Sequence, residues 1–141
     1  MNTQKSSEER REFFRVNFKT PFKFHTYSAT EENSASKTKV APQEGSSSNI
    51  SPSGILFQTR RTPPAVSSIL WMNVDLRTLT ICREIEKRAI VHNNGLLGRV
   101  VRVEENPKSQ NLYEVGVCFL TQDQKNSRPV QQILTELSKS S

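Results

Sequence analysis

Residues 49–54 read NISPSG, and this run decides how the fold of the chain is interpreted. Side chains such as those of Asn49 and Ser51 bond to nearby backbone groups, which is typical of a turn. Gly54 adopts a positive φ angle without steric cost, and a tight turn often requires one. The residues that follow, ILFQT at 55–59, predict a short β-strand. The run is therefore interpreted as a turn that leads directly into a strand.

Upstream of this turn, the sequence predicts one strand and one long loop. Apolar and polar residues alternate over residues 16–24, which places the apolar side chains on one face of a strand. Pro21 lies within this pattern and marks a sheet edge or a bulge. Residues 28–48 are rich in Ser, Glu, Asn and Lys, which predicts a long loop with a short edge strand at residues 37–41.

Downstream of the turn, alternating patterns predict three further strands, at residues 70–76, 98–103 and 113–119. The last two strands are expected to pair as an antiparallel hairpin. Residues 93–95 read NNG, which is a turn signal ahead of that hairpin. Residues 82–88 fit either a strand or a short helix, so the type of this element stays open.

The chain ends with a different period. Val130, Ile133, Leu134 and Leu137 recur at i, i+3, i+4 and i+7, which predicts a helix with one apolar stripe. Pro129 lies near its start, where the missing N–H costs little. Short strands with one buried face, in a chain of this size, favour a closed sheet. The expected fold is mainly β, a six-stranded antiparallel β-barrel with a C-terminal α-helix.

Composition limits the classes of protein to which the chain can belong. Its 141 residues fit a single domain, and the net charge of +6 suits an anionic partner such as a nucleotide, a nucleic acid or a membrane surface. No apolar run approaches the ~20 residues that cross a bilayer, and no apolar leader segment precedes the strands. Cys82 and Cys118 are expected to be free thiols in a reducing compartment. We therefore expect a cytoplasmic protein without membrane insertion.

A second pattern lies just before the first strand, where Arg11 and Arg15 are four residues apart in the run RREFFRV at residues 10–16. Arginine pairs at this spacing are frequent, and most are solvated surface charges. The NISPSG run is equally ordinary when it is considered alone. Their order along the chain is what gives the two patterns meaning.

In this order, the two patterns resemble the PilZ domain family. The family pattern is Arg-x-x-x-Arg before the first strand and Asp/Asn-x-Ser-x-x-Gly at a later turn. The positions that match it are Arg11, Arg15, Asn49, Ser51 and Gly54. The closing hairpin and the terminal helix fit as well, so that the resemblance covers roughly residues 10–137. It implies a flexible N-terminus at residues 1–9 and one PilZ-like domain at residues 10–141.

The chain departs from the family pattern in two places. Residues 34–48 should form the second strand of the domain but contain almost no alternating apolar residues. Residues 78–94 are longer than the usual connection. Neither departure removes a motif residue.

The resemblance implies a bacterial receptor for the second messenger cyclic di-GMP. Its ligand-binding residues would be Arg10, Arg11, Arg15, Asn49, Ser51 and Gly54. Arginine suits both parts of this ligand, since its planar fork binds phosphate or the O6/N7 edge of guanine and its flat face stacks on a base. Asn49 can donate to and accept from a guanine edge, Ser51 can bond a guanine or fix the turn, and Gly54 shapes the backbone. The resemblance also implies that the arginine segment becomes ordered when the nucleotide binds and signals to a protein partner that the sequence does not identify.

Other functions are less well supported by the residues. A PilZ-like adaptor that binds a protein and no nucleotide is the second hypothesis. It ranks below the receptor because family members of this type usually lack the arginine pair, whereas this chain has it. A basic barrel that binds RNA or single-stranded DNA is the third, but it would need exposed aromatic residues among the basic ones. The histidines and cysteines of the chain are His25, His92, Cys82 and Cys118. They show neither the spacing of metal ligands nor the pattern of a nucleophile–base pair. We therefore expect no enzymatic activity, no metal and no cofactor.

Overall fold

The computed structural model describes residues 15–29, 35–37, 42–60 and 62–140. The flexible segment predicted at residues 1–9 lies outside this part of the chain. Two of the predicted ligand-binding residues, Arg10 and Arg11, lie outside it too.

Nine strands make up nearly half of the described chain. They are β1 (Val16–Asn17), β2 (Pro21–Ala29), β3 (Ala35–Lys37), β4 (Gln43–Ser51), β5 (Gly54–Arg60), β6 (Ile69–Asn73), β7 (Val91–His92), β8 (Gly95–Glu105) and β9 (Leu112–Phe119). Three helical elements follow or interrupt them: α1 (Cys82–Arg88), a 3₁₀ turn (Gln122–Gln124) and α2 (Arg128–Ser140).

Six of these strands close into an antiparallel barrel. Hydrogen-bonded neighbours follow in the order β4, β5, β9, β8, β6 and β2, and β2 pairs back with β4 to complete the circle. The three shortest strands add to its edges, with β1 on β4, β3 on β2 and β7 on β8. The predicted six-stranded barrel, its closing hairpin and its terminal helix are therefore confirmed.

Phenylalanine rings from β2 and β5 fill the centre of the barrel. Phe24 and Phe57 are completely buried, and their ring centroids lie 5.2 Å apart. Phe22 meets Phe57 edge to face at 5.1 Å. Gly45 of β4 lies against these rings, because a Cβ there would come within 2.8 Å of Phe57. Large rings thus occupy the space that small residues of β4 leave free.

The prediction of a long loop at residues 28–48 is wrong over much of that range. Its last six residues belong to β4, and its first two belong to β2. In β4, Gly45 and Ser47 are buried whereas Glu44 and Ser46 are exposed, so the alternation of a strand is present. The buried residues are small rather than apolar, which removed the signal. Of the edge strand predicted at residues 37–41, only Lys37 is described, and it is the last residue of β3. Residues 38–41 lie outside the described part, so the rest of that strand stays a prediction.

Helix α1 settles the open assignment of residues 82–88 in favour of a helix. Ile85 on this helix is completely buried and packs into the barrel core together with Ile81. The NNG turn connects β7 to β8 as predicted, and both Asn93 and Asn94 have positive φ angles, of 53° and 62°. Such angles are those of a tight primed hairpin turn.

Helix α2 packs on the outside of the barrel and forms a second core there. Val130, Ile133 and Leu137 of the predicted apolar stripe are buried against residues of β2, β6 and β8, among them Tyr27 and Leu97. The stripe therefore covers one outer face of the barrel. The candidate site lies on a different part of the outer surface, formed by β5, β9 and the second half of β8.

Candidate functional site

The two sequence motifs meet at the pairing of β1 with β4. Val16 pairs with Ile50 and Asn17 with Asn49, which brings Arg15 level with the end of β4. A guanidinium nitrogen of Arg15, Nη1, donates a hydrogen bond to Oδ1 of Asn49 at 3.0 Å. The two residues are 34 positions apart in the sequence. The fold therefore brings together the described part of the arginine motif and the beginning of the NISPSG run.

Ser51 has a structural place in the turn between β4 and β5. Its side chain is completely buried, and its Oγ accepts a hydrogen bond from the backbone N–H of Ser53 at 3.3 Å. The Oγ atoms of the two serines lie 3.3 Å apart. Of the two roles predicted for Ser51, the structure thus shows the one that fixes the turn. A role in base recognition stays a prediction.

Gly54 is required by a close approach between strands rather than by a positive φ angle. None of the described glycines has a positive φ angle, so the conformational reason expected from the sequence is wrong. A Cβ on Gly54 would lie 2.3 Å from the carbonyl oxygen of Val117 on β9. Any side chain at this position would push β5 away from β9, and the turn that carries Ser51 would move with it.

A groove of about 480 Å³ lies beside this turn on the outer surface of the sheet. Its lining includes Arg15, Ser53 and Gly54 on one side and Arg102, Gly116 and Cys118 on the other. Asn49 is bonded to Arg15 at this groove, whereas Ser51 supports the turn from beneath. Of the six predicted ligand-binding residues, the four that the structure describes therefore lie at or directly under one surface feature.

Arg102 is a second cation in the groove that the motif analysis missed. The pairing of β8 with β9 shifts register between Val100 and Arg102, so that Val101 forms a β-bulge. Bulges re-aim the side chains next to them. Gly116 lies opposite Arg102 and has no side chain that could fill the groove. A Cβ at this position would contact Arg102 at ordinary distances of 3.6 Å or more. The sequence contains Arg102 within a strand pattern, but its position depends on a bulge that the pattern does not reveal.

Arg102 is only loosely held in this structure. Its nearest carboxylates are those of Glu104 and Glu114, at 3.8 and 3.9 Å. Half of the Arg102 side chain is exposed, and ion pairs of this kind contribute little stability in water. An anionic ligand can therefore compete for this guanidinium at small cost.

A second depression lies near α1 and has different chemistry. Asp75 accepts two hydrogen bonds from the Arg77 guanidinium, at 2.9 and 2.8 Å, and these bonds lower the pKa of Asp75 to about 2. Burial raises the pKa of the Cys82 thiol, and Glu86 raises it further. The thiol is therefore less ionised, and less reactive, than an unperturbed cysteine at the same pH. The arginine that lines this depression, Arg77, is held more closely by its carboxylate than Arg102 is in the groove.

The described residues contain neither a metal-binding cluster nor a membrane-spanning helix. No cluster of three or more His, Cys, Asp or Glu side chains among them could hold a metal ion. Within the same residues, no helix is both long and apolar enough to cross a bilayer.

Together, the fold and the groove define a small antiparallel β-barrel that presents cationic side chains on its surface, next to a serine- and glycine-shaped turn. The family model of the PilZ domain matches residues 9–136, which is nearly the whole chain, so the chain belongs to the PilZ domain family. Members of this family are cyclic-di-GMP receptors and adaptors, and they are generally binding domains rather than enzymes. No curated protein and no solved structure matches the chain significantly.

Proposed function

We propose that this chain is a cyclic-di-GMP receptor whose nucleotide binds in the groove between Arg15 and Arg102. The single observation that carries the proposal is the hydrogen bond from Arg15 to Asn49. It places the second arginine of one family motif against the first residue of the other. On this proposal, cyclic di-GMP binds the groove directly, and a protein partner binds only afterwards.

The groove offers the chemistry that a cyclic dinucleotide needs. Arg15 and Arg102 supply two guanidinium groups, which bind phosphate in a bidentate manner or stack on a base. Asn49 supplies an amide that can pair with a guanine edge once Arg15 turns toward a phosphate. The exposed Val101 side chain offers apolar contact area beside the cations, and Gly116 adds no side chain to the groove.

Signalling would follow from the segment that precedes β1. Arg10 and Arg11 lie outside the described residues, and we propose that they add phosphate contacts when the ligand binds. Binding would then order the arginine segment across the groove and present a new surface to a protein partner. The entropic cost of that ordering would lower the affinity but would give the ligand control over the surface.

Isothermal titration with cyclic di-GMP tests the proposal. The full chain should bind, and Arg15→Ala should weaken binding by about thirty-fold, because one charge-assisted contact of ~2 kcal/mol is lost. Arg15→Lys should also bind poorly, since lysine has no planar fork. Arg77→Ala is the matched control: it removes an exposed arginine outside the groove and should leave the affinity unchanged.

A titration without heat, together with no shift of the thermal midpoint at saturating nucleotide, would overturn the receptor proposal and leave the nucleotide-free adaptor. Binding to RNA or single-stranded DNA has less support, because the exposed large apolar side chains among the described residues are all valines, namely Val66, Val91 and Val101. A barrel that stacks bases would be expected to expose aromatic rings.

A further inference from the structure

Two shifts in strand register coincide on β4, next to Asn49. On one edge of β4, the pairing with β1 ends at Asn17 and Asn49, and the pairing with β2 resumes at Pro21 and Ser46. Residues 18–20 between β1 and β2 thus lie opposite only two residues of β4, Ser47 and Ser48. On the other edge, the pairing with β5 shifts between Ser47 and Asn49. The strand that carries Asn49 is therefore irregular on both edges at the same place.

Ser47 spans this irregularity with its backbone and with its side chain. Its N–H donates to the carbonyl of Thr20 at 2.9 Å, and its Oγ accepts from the N–H of Thr20 at 3.0 Å. The same Oγ donates to the carbonyl of Phe18. One hydroxyl therefore serves both ends of the three-residue interruption between β1 and β2. Pro21 follows at once and has no N–H with which to replace these bonds.

We infer that Ser47 is the positioning residue that sets where Arg15 enters the groove. This inference rests on the proposed function of the groove. Residues 18–20 connect β1 to the barrel, and Ser47 holds that connection at a fixed length and direction. Arg15 lies just before β1, so a change in the connection moves its guanidinium relative to Asn49.

The burial of Ser47 explains why its hydroxyl has this effect. The residue is 3% exposed, so water has little access to the groups that it bonds. An alanine at this position would leave the Thr20 N–H and the Phe18 carbonyl without their partner. Unpaired backbone groups in a partly buried setting are costly, and the segment would move to reach water. That movement displaces Arg15 but leaves the barrel strands paired.

Amide hydrogen exchange on the ligand-free protein tests the first half of the inference. In Ser47→Ala, the amide of Thr20 loses its acceptor and should exchange about tenfold faster, while those of the buried barrel strands should keep their rates. Ser46→Ala is the matched control, since Ser46 is the exposed neighbour on the same strand. An even increase in exchange over the whole barrel would overturn the inference. Ser47→Cys keeps nearly the same volume and replaces the alanine variant if that variant does not fold.

Binding measurements in a double-mutant cycle test the second half. Ser47→Ala should weaken cyclic-di-GMP binding about three- to tenfold, the loss expected for one hydrogen bond. In an Arg15→Ala background, the same change should have almost no further effect, because Ser47 acts through Arg15. Equal losses in both backgrounds would show that Ser47 affects binding without Arg15 and would contradict the inference. If the wild-type chain binds no nucleotide, the proposed function fails, while the exchange experiment still decides whether Ser47 fixes the segment.

Discussion

Cys118 and Cys82 are both free thiols, but they lie in different surroundings. Cys118 is exposed and lines the proposed nucleotide groove, whereas Cys82 is partly covered on α1. Burial and the nearby carboxylate of Glu86 raise the pKa of Cys82. A raised pKa means less thiolate at any pH below it, and the thiolate is the nucleophile. The two thiols should therefore differ in their reaction with an aromatic disulfide reagent.

At pH 8, we expect Cys118 to react faster than Cys82 by roughly an order of magnitude. Cys118→Ser should remove the fast phase, and Cys82→Ser should remove the slow one. Saturating cyclic di-GMP should slow the fast phase only. A fast phase that survives in Cys118→Ser would contradict this assignment.

The residues of the site differ in how far the sequence predicts them. Arg15 and Asn49 belong to fixed spacings, so the sequence predicts their proximity once the family is recognised. Arg102 belongs to no such spacing, since its location depends on the extra residue at Val101. Ser47 lies in a run of three serines, and only the backbone geometry of residues 18–20 distinguishes it from its neighbours. Local irregularities of the sheet therefore place the residues that spacing does not.

At the scale of the elements, the pairing of β5 with β9 depends on Gly54. A Cβ at this position would lie 2.3 Å from the carbonyl oxygen of Val117, which is backbone and can move only with the strand. We expect Gly54→Ala to lower the free energy of unfolding by about 2–3 kcal/mol, as overpacking does elsewhere. Urea denaturation followed by circular dichroism measures this loss.

Gly116→Ala provides the control for that measurement. It lies in the same pair of strands, but its Cβ would contact Arg102 only at ordinary distances of 3.6 Å or more. Its stability should stay within about 0.5 kcal/mol of the wild type, or rise slightly because alanine restricts the unfolded chain. Equal losses for both variants would show that the close approach at Gly54 is not the cause.

The elements themselves were predictable where the buried residues are large. Strands β5, β8 and β9 and helix α2 all have apolar side chains at a clear period, and the sequence predicts each of them. Strand β4 has Gly45 and Ser47 at buried positions of its first half, so periodicity gives no signal, although burial alternates over residues 44–47. Helix α1 has only seven residues, too few for its period to separate a helix from a strand.

At the scale of the whole molecule, the site and the cores are separate. Arg15 and Arg102 are exposed on the outer surface of the sheet, and neither packs in the barrel core or under α2. Substitution of either arginine should therefore change affinity with little effect on folding. Exposed ion pairs such as those of Arg102 rarely contribute more than about 1 kcal/mol. This separation makes the binding experiments straightforward to interpret.

The two cores share strands, and this predicts how the molecule unfolds. Helix α2 covers residues of β2, β6 and β8, and the inner faces of the same strands form the barrel core. Loss of α2 would expose the outer faces of three barrel strands, so the helix and the barrel should unfold together. Trp71 is the only tryptophan in the chain and packs against the outer core, where it reports on the docking of α2.

Ile133→Ala tests this cooperativity. Ile133 is 1% exposed under α2, and its truncation should lower the free energy of unfolding by about 2–4 kcal/mol. Far-ultraviolet circular dichroism and Trp71 fluorescence should still give one coincident transition in both the wild type and the variant. Thr135→Ala, an exposed change on the same helix, should shift the midpoint little. If the Trp71 signal changed before the strand signal, α2 would be an independently undocking element, and it would then be a candidate for transmitting the binding event to a partner.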